Sequence, residues 1–148
     1  EPDNIAARGG MQVGACLAGI AFLKGLGLVH AISHMVGAEY DTHHGLTNAV
    51  VLPAVLRFNE PAIAGKVPAM MRALGQPGTD FDEFYRYVCG LLDQFQIPRT
   101  LSELGVPESA VEALTIKALK DAAAGTNPRV SDADSLMTVI SEAITVGR

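Results

Sequence analysis

Apolar residues along this chain recur at three- and four-residue spacings, which is the period of a helix and not of a strand. The clearest case is the stretch 80–95, whose large apolar side chains follow this spacing: Phe84, Tyr87, Val88, Leu91, Leu92 and Phe95. The same pattern predicts helices over residues 5–24, 28–36, 44–58, 61–74, 81–95, 107–124 and 132–144. The predicted fold class is therefore all-α, a multi-helix, bundle-like single domain of six or seven helices.

Local signals predict where several of these helices begin and end. Gly37 should close the second helix, and Pro53 should restart or kink the third. Asp80 should cap the fifth, because Glu83 follows three residues later as in a capping box. Ser131 should cap the last helix.

The first predicted helix, 5–24, is apolar on nearly every side, which is typical of a buried helix. Its longest uncharged apolar run, "VGACLAGIAFL", ends after 11 residues at Lys24, whereas a membrane-spanning helix needs about 20 such residues. The opening residues "EPDNIAARGG" also lack the basic start and apolar centre of a signal peptide. We therefore expect no membrane partner.

Composition and charge narrow the possible partners. The chain has 11 Lys and Arg against 16 Asp and Glu, with the basic residues scattered, so no nucleic-acid partner is expected. Hydrophobic residues make up 49% of the sequence, and it does not begin with Met, which suggests a piece that meets another domain or subunit. Cys16 and Cys89 match no ligand spacing and are expected to be buried, reduced thiols of a cytoplasmic protein.

All four histidines lie within the run "HAISHMVGAEYDTHH", residues 30–44. His30 and His34 are spaced to share one helix face and could bind one metal ion, although no Glu follows His30 as in HExxH. His44 begins the next predicted helix and could return toward this pair. At most one of the adjacent His43 and His44 should face a shared site. Spacing alone leaves packing histidines as the alternative to metal ligands.

The residues around the histidines resemble the signature of the iron-containing (group III) alcohol dehydrogenases. This stretch is "GLGLVHAISHMVGAEYDTHHGLTNAVVLPAVLRFN", residues 25–59. The family carries a Gly-Leu-Gly turn, two His four apart, a Pro-His-Gly, an Asn-Ala and a Leu-Pro-x-Val. "DNIAARGGMQVGACLAGIAF" and "GTNPRV" resemble two further family segments. The resemblance covers the whole chain and implies the C-terminal helical domain of a dehydroquinate-synthase-like, two-domain enzyme.

The resemblance also implies site residues. His30 and His44 match metal ligands of the family. His34 matches a histidine that lines the active site beside nicotinamide and substrate, which implies a catalytic and cofactor-binding role; a packing histidine that shapes the cleft is the alternative. The family usually has Pro where this chain has His43, and losing that rigid φ is expected to loosen the approach to His44.

In the resembled family, the other two metal ligands and the nucleotide-binding domain lie upstream of such a segment, and neither is in this sequence. The complete enzyme is expected to use Fe(II), or Zn(II), and NAD(P) to interconvert a small alcohol and an aldehyde or ketone, with the metal as Lewis acid. This chain alone should bind metal weakly and be inactive. Its expected partners are the absent nucleotide-binding domain and further copies in a homo-oligomer.

Two alternatives stay open on the sequence. One is a non-catalytic helical assembly domain, suggested by the apolar surface rich in Ala, Leu, Met and Gly. The other is a Zn-dependent enzyme of the same fold, similar to glycerol dehydrogenase or dehydroquinate synthase. Substrate, NAD or NADP preference and the identity of the metal are not determined by these residues.

Overall fold

The computed structural model describes residues 2–148 and places seven α-helices in that range. They are α1 (Ile5–Ala21), α2 (Leu28–Tyr40), α3 (His44–Ile63), α4 (Val67–Ala73), α5 (Phe81–Gln94), α6 (Val111–Ala118) and α7 (Ala133–Thr145). No strand occurs among these described residues. The predicted all-α fold class is confirmed.

The main core lies between α2, α3, α6 and α7, each of which contributes an apolar face. Its largest buried side chains come from all four helices: Leu28, Ile32, Val50, Val51, Leu114, Leu136, Ile140 and Ile144. A smaller apolar cluster joins the end of α3 to α4 and α5. The two histidine-bearing helices, α2 and α3, are thus held by the main core and not by their short connection.

Helix α3 is continuous through Pro53 and Pro61. Of the two alternatives predicted at Pro53, the restart is therefore wrong and the kink stays a prediction, and the expected end at residue 58 is also wrong. A proline inside a helix removes one hydrogen bond and crowds the preceding turn, at a cost of about 3 kcal/mol. Pro53 is itself buried, as are Val51 and Ala54 beside it. Burial of this apolar face offsets the lost hydrogen bond, and tertiary packing therefore overrides the local signal.

Helix α2 also runs farther than predicted. It passes through Gly37 and ends at Tyr40, where Asp41 takes a left-handed conformation with φ 50°. The backbone N–H of Asp41 donates to the carbonyl of Gly37 and closes the last turn. Val36 is buried and Tyr40 packs against the core, so the extra turn is stabilised by apolar contacts.

The prediction that the first helix is buried is wrong for the described chain. Every residue of α1, and the 3-10 turn Phe22–Lys24 that follows it, is exposed. The large apolar side chains left bare are Ile5, Met11, Val13, Leu17, Ile20, Phe22 and Leu23. Their pattern is that of a buried helix, but no helix among residues 2–148 covers them.

By length and composition alone, the helical segment Ile5–Lys24 could cross a membrane. It has 20 residues and a mean hydropathy of 1.3 over its most apolar window, and within residues 2–148 no other segment meets these criteria. Core helices of soluble proteins meet the same criteria. The expected absence of a membrane partner therefore stays a prediction.

The second half of the chain follows the predicted order with shifted boundaries. Asp80 and Glu83 form the predicted capping box at α5. The helix expected over 107–124 is shorter: α6 ends at Ala118, and residues 122–126 form a 3-10 turn. The last helix is capped by Asp132, whose side chain accepts from the N–H of Ser135. Ser131, the predicted cap, lies one residue too early.

The two cysteines are free, as expected, but they are not both buried. Cys16 lies on α1 and is exposed, while Cys89 is partly buried beside the smaller apolar cluster. The prediction of a buried Cys16 is wrong for the same reason as the prediction of a buried α1: Cys16 lies on this helix, and no other described residue covers it.

Candidate metal centre

The turn before α2 is held by a segment that lies about a hundred residues later in the sequence. Gly25 and Gly27 have φ angles of 99° and 79°. The N–H of Leu26 donates to Oγ1 of Thr126 at 3.2 Å, and the N–H of Leu28 donates to Oδ1 of Asn127 at 3.1 Å. The side chain of a distant residue therefore satisfies one of the free N–H groups at the start of α2.

Asn127 is in turn fixed by α3. Its Nδ2 donates to Oδ1 of Asn59 at 2.6 Å, and Nδ2 of Asn59 donates back to Oδ1 of Asn127 at 3.1 Å. Nδ2 of Asn127 also donates to the carbonyl of Arg129 at 2.7 Å. This amide pair ties the start of α2 to the end of α3. The segment "GTNPRV" therefore positions α2 relative to α3.

His30 and His44, the two predicted metal ligands, come together although they lie on different helices. Their ring centroids are 5.2 Å apart. Nε2 of each ring faces the same amide nitrogen, because Nδ2 of Asn48 lies 3.3 Å from Nε2 of His30 and 3.1 Å from Nε2 of His44. The structure thus directs one nitrogen of each histidine to a common point.

The surroundings of His30 favour its neutral form. Burial lowers the pKa of His30, and positive charge on His44 and His34 lowers it further. A hydrogen bond to the backbone of Leu26 acts in the opposite direction. A hydrogen bond that raises a histidine pKa is one that the ring donates, so the Leu26 carbonyl accepts. Metal-ligating histidines commonly have this neutral ring with a backbone acceptor on one side.

His34 lies beside the pair but is oriented by another partner. Its ring stacks on His44 with centroids 5.6 Å apart, and its Nδ1 lies 3.0 Å from Oδ2 of Asp121. Partial burial opposes ionisation of Asp121, but hydrogen bonds from Ala123 and His34 outweigh it and lower the pKa of this carboxyl. The carboxylate can only accept, so it selects the His34 tautomer with hydrogen on Nδ1.

Two residues of this site were missed by the sequence reasoning. Asn48 follows His44 by one helical turn and belongs to the Asn-Ala pair of the signature, which is the signal that could have indicated it. Asp121 gives no comparable signal. It is a single carboxylate 87 residues from His34, and only the packing of α6 against α2 brings the two together.

His43 faces away from the histidine group and caps α3. Its Nδ1 accepts from the N–H of Leu46 at 3.3 Å, and its side chain is exposed. Its φ is −64°, which lies at the value that proline imposes. His43 therefore has the backbone angle that proline would impose, and the expected loosening stays a prediction.

The variant His43→Pro should change the free energy of unfolding by less than about 1 kcal/mol. Proline reduces the entropy of the unfolded chain, which stabilises by about 0.4–1 kcal/mol, while loss of the imidazole cap costs about 1 kcal/mol. His43→Ala is the control, since it loses the cap without that compensation. Urea unfolding of both variants checks this. A greater loss for His43→Pro than for His43→Ala would contradict it.

The donor set fits part of a metal site. Across residues 2–148, no group of three or more His, Cys, Asp or Glu side chains is arranged to hold a metal ion. His30 and His44 supply two nitrogen donors directed to one point, whereas His34 is engaged by Asp121. Neutral imidazoles suit Fe(II) and Zn(II). The residues present therefore fit two positions of a metal site.

Residues 1–144 match the model of a protein family described as "Fe-containing alcohol dehydrogenase family, C-terminal". This range contains all four histidines, Asn48, Asp121 and the segment that caps α2. The chain belongs to the iron-containing alcohol dehydrogenase family. The resemblance seen in the sequence is thereby confirmed, as is the C-terminal domain of that family as the fold.

Curated relatives of this iron-containing alcohol dehydrogenase chain include enzymes for different small alcohols. The NAD-dependent methanol dehydrogenase of Bacillus methanolicus is 34% identical over 149 residues, covering 96% of the chain and 39% of the relative. The 1,3-propanediol dehydrogenase of Klebsiella pneumoniae is 33% identical, with 95% and 38% covered. The chain therefore spans less than half the length of these relatives.

Solved structures agree with this placement in the iron-containing alcohol dehydrogenase family. A 1,3-propanediol oxidoreductase gives a TM-score of 0.75 at 31% identity and covers 80% of the chain and 32% of that protein. An alcohol dehydrogenase from Oenococcus oeni gives 0.74 at 26% identity, with 79% and 32% covered.

Proposed function

We propose that this chain is the C-terminal, metal-binding part of an NAD(P)-linked alcohol dehydrogenase. In the complete enzyme, His30 and His44 would hold Fe(II), or Zn(II), and His34 would face the nicotinamide and the substrate. The reaction would interconvert a small alcohol with its aldehyde or ketone by hydride transfer. The observation that supports the proposal is that two Nε2 atoms, from two helices, face one point, where Nδ2 of Asn48 lies in this structure.

A divalent metal bound there would act as a Lewis acid on the alcohol or carbonyl oxygen. His30 and His44 would serve this role through Nε2, and burial lowers the pKa of His30, which favours the neutral ring that a metal needs. The side chain of Asn48 contacts the His30 ring on its Nε2 side, and the backbone of Leu26 raises the pKa of the same ring. The chain would therefore hold both histidines in position before a metal binds.

His34 is suited to accept or return a proton. Asp121 engages Nδ1 at 3.0 Å, which leaves Nε2 as the nitrogen with a free lone pair. The ring remains partly exposed, so a hydroxyl group of substrate or cofactor can reach it. A histidine held in one tautomer by a carboxylate is a common arrangement for general acid–base catalysis. We therefore assign His34 the proton-transfer role.

We propose that this chain works with the remaining parts of such an enzyme, namely a nucleotide-binding domain and the other metal ligands. The chain covers only 39% and 38% of the two curated relatives above, which leaves room for a nucleotide-binding domain and the remaining ligands. The bare apolar surface of α1 favours contact with such a domain or with another copy in a homo-oligomer. Two free thiols suit a cytoplasmic location.

The exposed α1 also favours a second candidate function, a helical domain that serves assembly. In that case, the four histidines would be packing and capping groups, as His43 is. The two candidates differ in one observable property, which is whether a divalent cation reaches His30 and His44. Relatives named as alcohol and diol dehydrogenases support the enzyme.

Titration of the purified chain with Zn(II), followed by nitrogen NMR of the imidazoles, tests the metal role. We expect weak binding, because only two protein ligands are present, with Nε2 of His30 and His44 shifting together. His43 is the internal control: with its Nδ1 occupied at the start of α3, it offers a single nitrogen and should shift only at higher Zn(II) concentration than His30 and His44. The same samples should show no NAD(P)-linked oxidation of alcohols.

Two results would contradict the proposal. Zn(II) that shifts His43 and leaves His30 and His44 unchanged would place the cation elsewhere. No shift of any imidazole, even at millimolar Zn(II), would favour the assembly domain. Turnover by the isolated chain would show instead that the upstream half is dispensable and that the expected inactivity is wrong.

A further inference from the structure

The side chain of Asn48 lies between the two histidines to which a metal role is assigned above. We propose that Asn48 is a positioning residue, which turns Nε2 of His30 and Nε2 of His44 toward one point and holds both rings in the tautomer that a divalent cation at Nε2 requires; a cation that binds there displaces the amide. This inference rests on the proposed metal role of the two histidines. It goes beyond that role in naming what orients them.

The first argument is the direction of the hydrogen bonds. An amide nitrogen carries two hydrogens and accepts none, so Nδ2 of Asn48 can only donate to the two Nε2 atoms, at 3.3 and 3.1 Å. Each Nε2 must then present its lone pair, with the ring hydrogen on Nδ1. One side chain thereby sets the same tautomer in two histidines, and it is the tautomer that a metal at Nε2 requires.

The second argument fixes which end of the amide faces the rings. The backbone of Leu26 raises the pKa of His30, as a nearby acceptor does, and since Nε2 of this ring faces Asn48, Nδ1 is the nitrogen left to face that acceptor. A ring with hydrogen on Nδ1 has no hydrogen on Nε2 and needs a donor there. Nδ2 of Asn48 is that donor, so the amide orientation follows from the contacts of His30.

The third argument is the cost of this arrangement. Oδ1 of Asn48 is buried and has no hydrogen-bond partner within residues 2–148. An unpaired buried acceptor costs about 1–3 kcal/mol, and such groups in native proteins call for a specific explanation. The two imidazoles provide that explanation: both accept from Nδ2 of Asn48, and this orientation of the amide leaves Oδ1 without a partner. Of the two rings, His44 depends more on Asn48 for its orientation, because its side chain is exposed.

Two substitutions of Asn48 test the proposal on the purified chain. Asn48→Leu keeps the size and removes the donor, and imidazole nitrogen NMR should show His44 changing to a tautomer mixture while Leu26 still holds His30. Asn48→Asp places a carboxylate at the same point and completes a His2Asp donor set, so Zn(II) affinity should rise at least about tenfold.

Gln94→Glu is the matched control for added charge. Gln94 is exposed at the end of α5, and this variant adds the same negative charge as Asn48→Asp away from the histidines. It should leave Zn(II) affinity unchanged, and His44→Ala added to Asn48→Asp should remove the gain. Circular dichroism of each variant establishes that the helices are retained.

The outcomes separate this inference from the proposed function. If Zn(II) shifts His30 and His44 in the unaltered chain but Asn48→Leu leaves the His44 tautomer unchanged, Asn48 does not position the rings and the metal role stands. If Zn(II) shifts neither histidine in the unaltered chain or in Asn48→Asp, the metal role fails, and this inference fails with it.

Discussion

Replacing Asn127 with alanine should lower the free energy of unfolding by about 2–4 kcal/mol. The Asn127 side chain accepts from the N–H of Leu28 and from Asn59, and donates to Asn59 and to the carbonyl of Arg129. Leu28 is fully buried and Asn59 is 6% exposed, so water cannot easily replace the lost partner. Urea unfolding followed by circular dichroism measures the loss.

The control for Asn127→Ala is Gln94→Ala. Gln94 is exposed on α5, and a surface substitution of this kind should change the free energy of unfolding by less than about 0.5 kcal/mol. A loss for Asn127→Ala as small as that of the control would show that the start of α2 does not depend on residues 122–129. It would also remove the physical reason for linking those residues to His30.

Replacing Gly25 with alanine should cost about 2–4 kcal/mol, for two separate reasons. Gly25 has φ 99° and ψ 161°, a region that is essentially restricted to glycine. A Cβ there would also lie 2.4 Å from Cβ of Thr126, so the turn and the later segment would have to separate. The N–H of Leu26, which donates to Thr126, would lose its partner in that separation.

Gly105→Ala separates these two reasons. Gly105 also has a positive φ, 86°, but an added Cβ there meets nothing within 4 Å. Its cost should be the conformational one alone, about 1–2 kcal/mol. If Gly25→Ala proves no more costly than Gly105→Ala in thermal and urea unfolding, Thr126 moves aside freely and the close approach has no energetic consequence.

Both predictions concern the way in which distant residues fix α2, the helix that carries His30 and His34. Thr126 and Asn127 bond to the turn before α2, and Asp121, a few residues earlier, bonds to His34 on the same helix. The segment from residue 121 to 129 thus holds α2 at its start and at its middle. A shift of this segment would move His30 and His34 together relative to His44, which α3 carries.

Local rules predicted much of the helical structure. The capping box of Asp80 and Glu83 depends on residues three apart, and it forms as predicted. The rules failed where packing decides the outcome, as at Pro53 inside α3 and at Gly37 inside α2. At both places burial of neighbouring side chains outweighs a local preference that favours ending the helix.

The sequence by itself determined the all-α class and the family, because helical periodicity and an ordered signature lie in neighbouring residues, and it predicted the pair His30 and His44, whose rings the structure brings together. The sequence also contains the apolar pattern of α1, but such a pattern does not specify which surface covers the helix. In the structure of residues 2–148, α1 is exposed. Only the tertiary structure showed that Asn48 stands between the two rings, that Asp121 reaches His34 and that Asn127 caps α2. Those contacts join residues up to a hundred positions apart, and their geometry comes from the packing of α2, α3, α6 and α7, which no local spacing specifies.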